Sequence, residues 1–484
     1  TGFALIASAG IALLSIALTR SNSTGQGRHR GLQTLLLTYI CLFMSSVTVV
    51  IPESYNLTKE MGYGATYSGW LIGSAWPLSA FVALAIAPKL REWNQPWCRN
   101  VLVGNYFLQA IASFFFAMAA DPRLSLPLPP TLQYTLVIGS RLLVGVSAGT
   151  DIILNVMVWK VVPRASMVNL EVMKVCIRTF AIGLGPLVSS GLNFAFGAHD
   201  VRSRASFPAQ VFAALWISFG VYAWMVIPND ITPFTSEKSA RDDAEPAEGS
   251  RTPTAVSVDN LSEADRQTVW FGGIMYGMER AFLVSALEAA TALILEKEFR
   301  MGTQEVGVAV GATFFVGLPI TLLVDAARRG HFISDVSLLS GAAAVATLAS
   351  LMLFPMCSTL LGHCGVHVPG LSVLLVLLAD CVIFPAGYLA NGILDGFAVQ
   401  CSKAGTFCCV ENFRLMEGFL QDAVARLIAP VIARTLVDRF GRLGYSAMQL
   451  SVSALGLASC VSVVLVLARS HKGGSSLLAS PAAH

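Results

Sequence analysis

Apolar stretches dominate the chain, and polar residues gather in short breaks between them. Runs long enough to cross a bilayer as helices, about 20 residues each, lie near 31–51, 66–87, 101–120, 135–158, 175–196, 209–227, 270–295, 305–324, 333–354, 370–400, 415–436 and 445–468. These are spans 1 to 12. Several contain Gly or Pro, which spanning helices tolerate. A further run, Phe3 to Leu18, has about 16 residues and is borderline. It reads as a thirteenth helix, an interfacial segment or the remnant of a targeting sequence.

Residues 228–268 break the pattern. They are rich in Pro, Ser, Thr, Asp and Glu and hold nothing to build a core, so they read as a disordered cytoplasmic linker. The expected organisation is an N-terminal segment over 1–30, a six-helix bundle over 31–227, that linker, a second six-helix bundle over 269–468, and a cytoplasmic tail over 469–484.

Composition agrees with an all-helical, multi-pass membrane protein. Of 484 residues, 55 % are hydrophobic and 13 % charged, about half the charge of an ordinary soluble domain. Mean hydropathy is +0.65. A soluble enzyme, a disordered chain and a disulfide-stapled module are excluded. The formal charge of +3 includes no basic patch that would address nucleic acid. The ten cysteines form no Cys-x-x-Cys pair, so no metal or redox framework is indicated. No G-x4-G-K-[ST] loop is present, so neither ATP driving nor any other cofactor is expected.

Lys and Arg set the orientation. With both ends and the linker cytoplasmic, the short cytoplasmic segments hold fifteen basic residues and the opposite loops eight, which satisfies the positive-inside rule.

The two halves repeat. Lys59-Glu60-x3-Gly64-x4-Gly69-x3-Gly73 recurs as Lys297-Glu298-x3-Gly302-x4-Gly307-x3-Gly311, every member offset by 238. Gly145-x3-Gly149 of span 4 matches Gly392-x3-Gly396 of span 10 at 247, and Gly185-Pro186 of span 5 parallels Ala429-Pro430 of span 11 at 244. Parallel repeats of six spans describe a two-bundle transporter with its substrate near the midplane.

Span 4 reads Arg141-x3-Gly145-x3-Gly149. It resembles the R-x3-G-x3-G pattern of the major facilitator superfamily, and Gly185-Pro186 resembles that superfamily's helix-5 signature. The resemblance implies twelve helices in two bundles that alternately open a central cavity to each face. In it, Gly145, Gly149, Gly185, Pro186 and Pro430 would serve close approach and bending. The loop between spans 2 and 3 departs from the family's G-x3-D-R-x-G-R-R: Pro88-Lys89-Leu90-Arg91-Glu92-Trp93 keeps basic charge but neither Gly nor Asp. Asp325-x2-Arg328-Arg329-Gly330, between spans 8 and 9, comes closer. Within the superfamily, Val50-Ile51-Pro52-Glu53-Ser54-Tyr55, Gly69-x3-Gly73, Leu394-Asp395-Gly396, Glu417 and Ala425-Arg426-Leu427-Ile428 are most like the SPX-linked vacuolar phosphate carriers and related lysosomal transporters. That likeness implies phosphate or another small inorganic anion as substrate, in a vacuolar or lysosomal-type endomembrane or the plasma membrane. An organic-solute carrier of the same fold, and an anion channel or receptor on the same scaffold, are the alternatives.

Ionisable residues inside spans are costly and mark function. Guanidinium offers two fixed donors to an oxyanion. Arg141 and Arg426, one in each half, are therefore expected to bind an anionic substrate from a shared cavity, with Asp395 beside them. Glu288 and Glu417 are the expected proton-coupling groups. Glu279-Arg280 reads as a structural or gating pair.

Overall fold

The computed structural model describes residues 26–91, 94–121, 123, 128–161, 164–198, 200–228, 261–330, 332–364, 370–403 and 405–477. Phe3–Leu18 and most of the 228–268 stretch lie outside them. Every element among the described residues is helical.

Spans 1 to 6 fold as Gln26–Thr48, then Ala65–Gly73 with Pro77–Arg91, Gln95–Ala120, Pro130–Gly149 with Asp151–Val161, Arg164–Ala195 and Val201–Val226. Two are broken for readable reasons. Span 2 stops after Gly73 and restarts at Pro77, whose ring has no N–H to continue the ladder. Span 4 breaks at Thr150. Asn105 of span 3 donates to the Ser147 carbonyl at 2.9 Å, and the Thr150 hydroxyl donates to the same oxygen, also at 2.9 Å. A short helix, Ser54–Glu60, follows span 1.

Spans 7 to 10 are Glu263–Lys297, Thr303–Arg329, Asp335–Ser350 and Leu371–Cys401. Span 7 thus begins inside the stretch expected as linker. Span 11 runs as Val410–Phe419, a π-helical turn over Leu420–Ala425, and an α-helix from Arg426. That helix is continuous with span 12 except at Gly441, where φ is 62°. Only glycine adopts such a backbone without strain, so Gly441 is the corner between the last two spans. Among the described residues, ten stretches are apolar and long enough to cross a membrane. One of these, Asn412–Arg469, contains both spans 11 and 12. Glu263–Lys297 is not among the ten because Glu279, Arg280 and Glu288 lie within it. Counting those two helices separately and adding this one gives twelve.

The described residues pack as two compact units. The first takes those of Thr1–Thr235, Ala286–Leu318 and Arg426–Gly441; the second takes those of Ser236–Ser285, Pro319–Ala425 and Arg442–His484. In the first, span 3 packs along spans 4 and 6, and span 1 along span 5. Tyr39, Tyr106, Trp216 and Phe219 form its aromatic centre, with Tyr106 and Phe219 rings 4.8 Å apart. In the second, span 9 lies along span 10. Small and branched residues, among them Ala342, Ala346, Ala390 and Val463, fill the core there.

Candidate functional site

The repeated glycines meet one another's counterparts. In the first unit, a Cβ on Gly69 of span 2 would lie 2.7 Å from the Pro430 carbonyl oxygen of span 11, and one on Gly73 would lie 2.4 Å from that of Leu427. Gly307 and Gly311 of span 8 face span 5 in the same way. Their Cβ atoms would lie 3.1 Å from the Pro186 oxygen and 2.9 Å from the Gly183 oxygen. Gly69 and Gly73 map onto Gly307 and Gly311 at offset 238, while Pro186 and Gly183 map onto Pro430 and Leu427 at 244. The repeat is therefore a repeat of contacts. Two helix pairs, 2 with 11 and 8 with 5, approach backbone to backbone through the same notches.

These contacts cluster at the end carrying the loops after spans 1, 5 and 7, the outer end of the expected topology. Polar bonds accompany them among the described residues. Arg434 donates to the Ser68 hydroxyl at 2.5 Å and to the Ala289 carbonyl at 3.0 Å. Thr66 and Thr435 share a hydrogen bond of 2.9 Å. Lys297 lies over the Tyr55 ring, 5.5 Å from its centroid, and pairs with Asp438. Gly185 holds span 5 against span 1, where a Cβ would come within 2.0 Å of the Thr48 hydroxyl. Gly145 and Gly149 hold span 4 against span 2, where Cβ atoms would be 2.5 Å from the Ala75 and Ser79 carbonyl oxygens.

That packing explains where Arg141 goes. Its face of span 4 is a contact face, so its side chain is drawn into the first half's interior rather than towards a space shared by the halves. It is 3 % exposed and donates to the Val47 carbonyl at 3.0 Å. It lines a cavity of about 20 Å³ with Ser46, Ser113, Ser140 and Phe212, from spans 1, 3, 4 and 6, room for about one water. Arg141 and Arg426 thus have different neighbours among the described residues. Arg426 lies on Trp76 of span 2, its guanidinium carbon 4.3 Å from the ring centroid. Glu288 of span 7 is within electrostatic reach of it.

In the second unit, spans 7, 10 and 11 bring together a chain of polar side chains. Arg280 of span 7 is 2 % exposed. It donates to Gln421 at 2.7 Å and lies 4.8 Å from the Tyr388 ring centroid, while its Nε and Nη1 have no hydrogen-bond partner. Gln421 donates to Glu417 at 2.7 Å. Arg414 reaches both Glu417, at 3.1 Å, and Asp395, at 3.5 Å. Asn391 donates to Asp395 at 3.0 Å. Gly277 and Gly387 leave the room: their Cβ atoms would be 2.9 Å from the Gln421 amide nitrogen and 3.4 Å from Arg280 Cγ. The π-helical turn begins at Leu420, between Glu417 and Gln421, and such turns recur at functional sites.

Asp395 and Glu417, both expected from sequence, thus share one network. Arg280 acts on Glu279 electrostatically, while the Glu279 carboxylate packs on Gly456 of span 12. Tyr388, Asn391, Arg414 and Gln421 were not singled out as site residues. The i, i+3 and i, i+4 spacing of Arg414, Glu417 and Gln421 on one helix face was the available signal.

No protein-family profile matches the sequence, and no curated protein matches it. Solved structures do. A bacterial homologue of the human lysosomal transporter Spinster, in an inward-facing and occupied conformation, shares 12 % identity at a TM-score of 0.57, over 90 % of this chain and 94 % of that one. A bacterial homologue of the iron transporter ferroportin, inward-facing, shares 14 % at 0.58, over 90 % and 98 %. The nucleoside transporter NupG shares 12 % at 0.56, over 91 % and 98 %. The fold is that of the major facilitator transporters, and the chain is an integral, multi-pass membrane protein.

Proposed function

We propose that this chain is a secondary active transporter that carries a small anion, phosphate first, by alternating access with proton coupling. The observation that carries the transport reading is the duplicated notch contact of spans 2 with 11 and 8 with 5. Among the described residues it holds two repeats together through backbone proximity and few hydrogen bonds, so it can part and re-form without leaving many buried groups unpaired. The neighbours of this fold include an iron transporter's homologue and a nucleoside transporter, so the solute is chosen by side chains. Arg280, buried with two unpartnered donors beside Asp395 and Glu417, supports an oxyanion. Arg426 on Trp76 is the second cation. Glu288 and Glu417 are the groups whose protonation would alternate with access. The likeness of residues 50–55 and 425–428 to the SPX-linked carriers supports phosphate and an endomembrane location.

The test is exchange of labelled phosphate in phosphate-loaded proteoliposomes. Saturable exchange is expected for phosphate, with none for chloride or glucose. Arg426→Ala is expected to slow it at least roughly tenfold, the equivalent of one charge-assisted hydrogen bond of about 1.5–3 kcal/mol. Exchange of a sugar in place of phosphate would move the assignment to an organic-solute carrier.

A further inference from the structure

A second set of ionisable groups lies at the outer contact, apart from the network of spans 7, 10 and 11. Glu53 follows span 1 and is 3 % exposed. Its Oε1 is 3.1 Å from Arg204 of span 6, and its Oε2 has no hydrogen-bond partner. Glu296 ends span 7, and neither of its buried carboxylate oxygens has a partner. Arg434 of span 11, Arg204 and Glu53 all act on Glu296 electrostatically. Among the described residues, the other charged and titratable groups at this set include Glu60, which acts on Glu53 and pairs with Arg202, Tyr55, which acts on Arg434, and Lys297, which lies over Tyr55 and pairs with Asp438.

Two features make this set unlike a structural ion-pair cluster. Arg434 is already engaged, donating from Nε to Ala289 and from Nη1 to Ser68. Glu296 therefore receives charge from it at a distance but no hydrogen bond. A buried carboxylate without hydrogen bonds is costly when ionised and far less so when protonated. The second feature is placement. The groups belong to five segments that meet at the outer contact: the end of span 1, the start of span 6, the end of span 7, and spans 2 and 11 through Ser68 and Arg434. Parting spans 2 and 11 would break the Arg434–Ser68 bond and would admit water to both carboxylates.

We propose that Glu296, with Glu53 as its acidic neighbour, is a proton-binding site that is filled when the outer contact closes and emptied when it opens. Closure from the outer side takes up a proton, and opening releases it to the same side. The site is distinct from Glu288 and Glu417, and it rests on the alternating-access reading. Burial pushes Glu53 up from 4.5 to about 7, against the pull of Arg204. The sign follows: acid favours closure, the preference erodes above the hydrated value, and erosion is complete once the closed form also ionises, near 7 for Glu53.

Hydrogen–deuterium exchange of the full chain in lipid nanodiscs tests this, corrected for intrinsic exchange at each pH. Peptides covering Ser54–Glu60, Ala65–Gly73 and residues 426–441 are expected to lose protection about tenfold between about pH 5 and about pH 8. The Glu53→Gln/Glu296→Gln pair is expected to stay protected at the higher pH, and Glu296→Gln alone to lose less protection than the wild type. Equal protection of the wild type at both values, or equal loss in the variants, overturns the proposal. The two readings fail separately. pH-blind protection with phosphate exchange intact removes the proton site alone, and absent exchange with pH-dependent protection removes the substrate assignment alone.

Discussion

Gly73→Leu is expected to arrest transport while the protein still folds. The absent Cβ would lie 2.4 Å from the Leu427 carbonyl oxygen and 3.3 Å from that of Arg426. Both are backbone atoms, so no side chain can swing aside. Overpacking of this kind costs about 1–3 kcal/mol or more, and it is levied only when spans 2 and 11 are together. A form with those spans apart would not meet this clash. The closed form's population then falls by roughly 10- to 100-fold, and phosphate exchange is expected to fall with it. Gly311→Leu should behave alike, because its Cβ would meet the Gly183 oxygen and the Leu187 side chain at 2.9 and 2.5 Å. Gly104→Leu is the control, as a Cβ on Gly104 of span 3 meets nothing within 4 Å. Exchange assays with size-exclusion profiles of the three variants check this. Wild-type exchange in Gly73→Leu would show that the notch does not have to close during transport.

Arg280→Met is expected to abolish phosphate exchange and to leave thermal stability unchanged or raised. A buried guanidinium with Nε and Nη1 unpartnered weakens the fold, since desolvation of those donors is not repaid by hydrogen bonds. Methionine fills similar space beside Tyr388 without that cost. Gln421 keeps its bond to Glu417. If Arg280 is retained for the solute, exchange falls at least roughly tenfold while Tm holds, the stability–activity trade expected of a binding residue. A falling Tm with exchange retained would make Arg280 a packing residue. Exchange and thermal unfolding of the same preparation separate the two outcomes.

The twelve spans were legible because apolar length is a strong signal in a bilayer solvent. What blurred them was local. Span 7 carries Glu279, Arg280 and Glu288 within its apolar run, and spans 11 and 12 run together except at Gly441. The glycine repeat was legible as a pattern, but its meaning needed coordinates. Sequence put Gly69 and Pro430 in equivalent frames without showing that one is the other's seat. The surroundings of Arg141 were hidden for a related reason. Periodicity told that it shares a face with Gly145 and Gly149, but not that the face packs on span 2. The network of spans 7, 10 and 11 was half legible. Asp395 and Glu417 stand out as charges in apolar runs, whereas Arg280 was paired with its chain neighbour Glu279. Adjacent helix residues point about 100° apart, so the tertiary partner, Gln421, won. The π-helical turn shifts the register just there, and no spacing rule anticipates it.

The outer contact of spans 2 and 11 is expected to part and re-form in every transport cycle. Thr66 and Thr435, whose hydroxyls are 2.9 Å apart across it, offer the direct measurement. Both are replaced by cysteine, the pair is oxidised in proteoliposomes, and phosphate exchange is followed before and after reduction. Arrest on oxidation and full recovery on reduction are expected. Exchange at an undiminished rate through the cross-linked protein would contradict this.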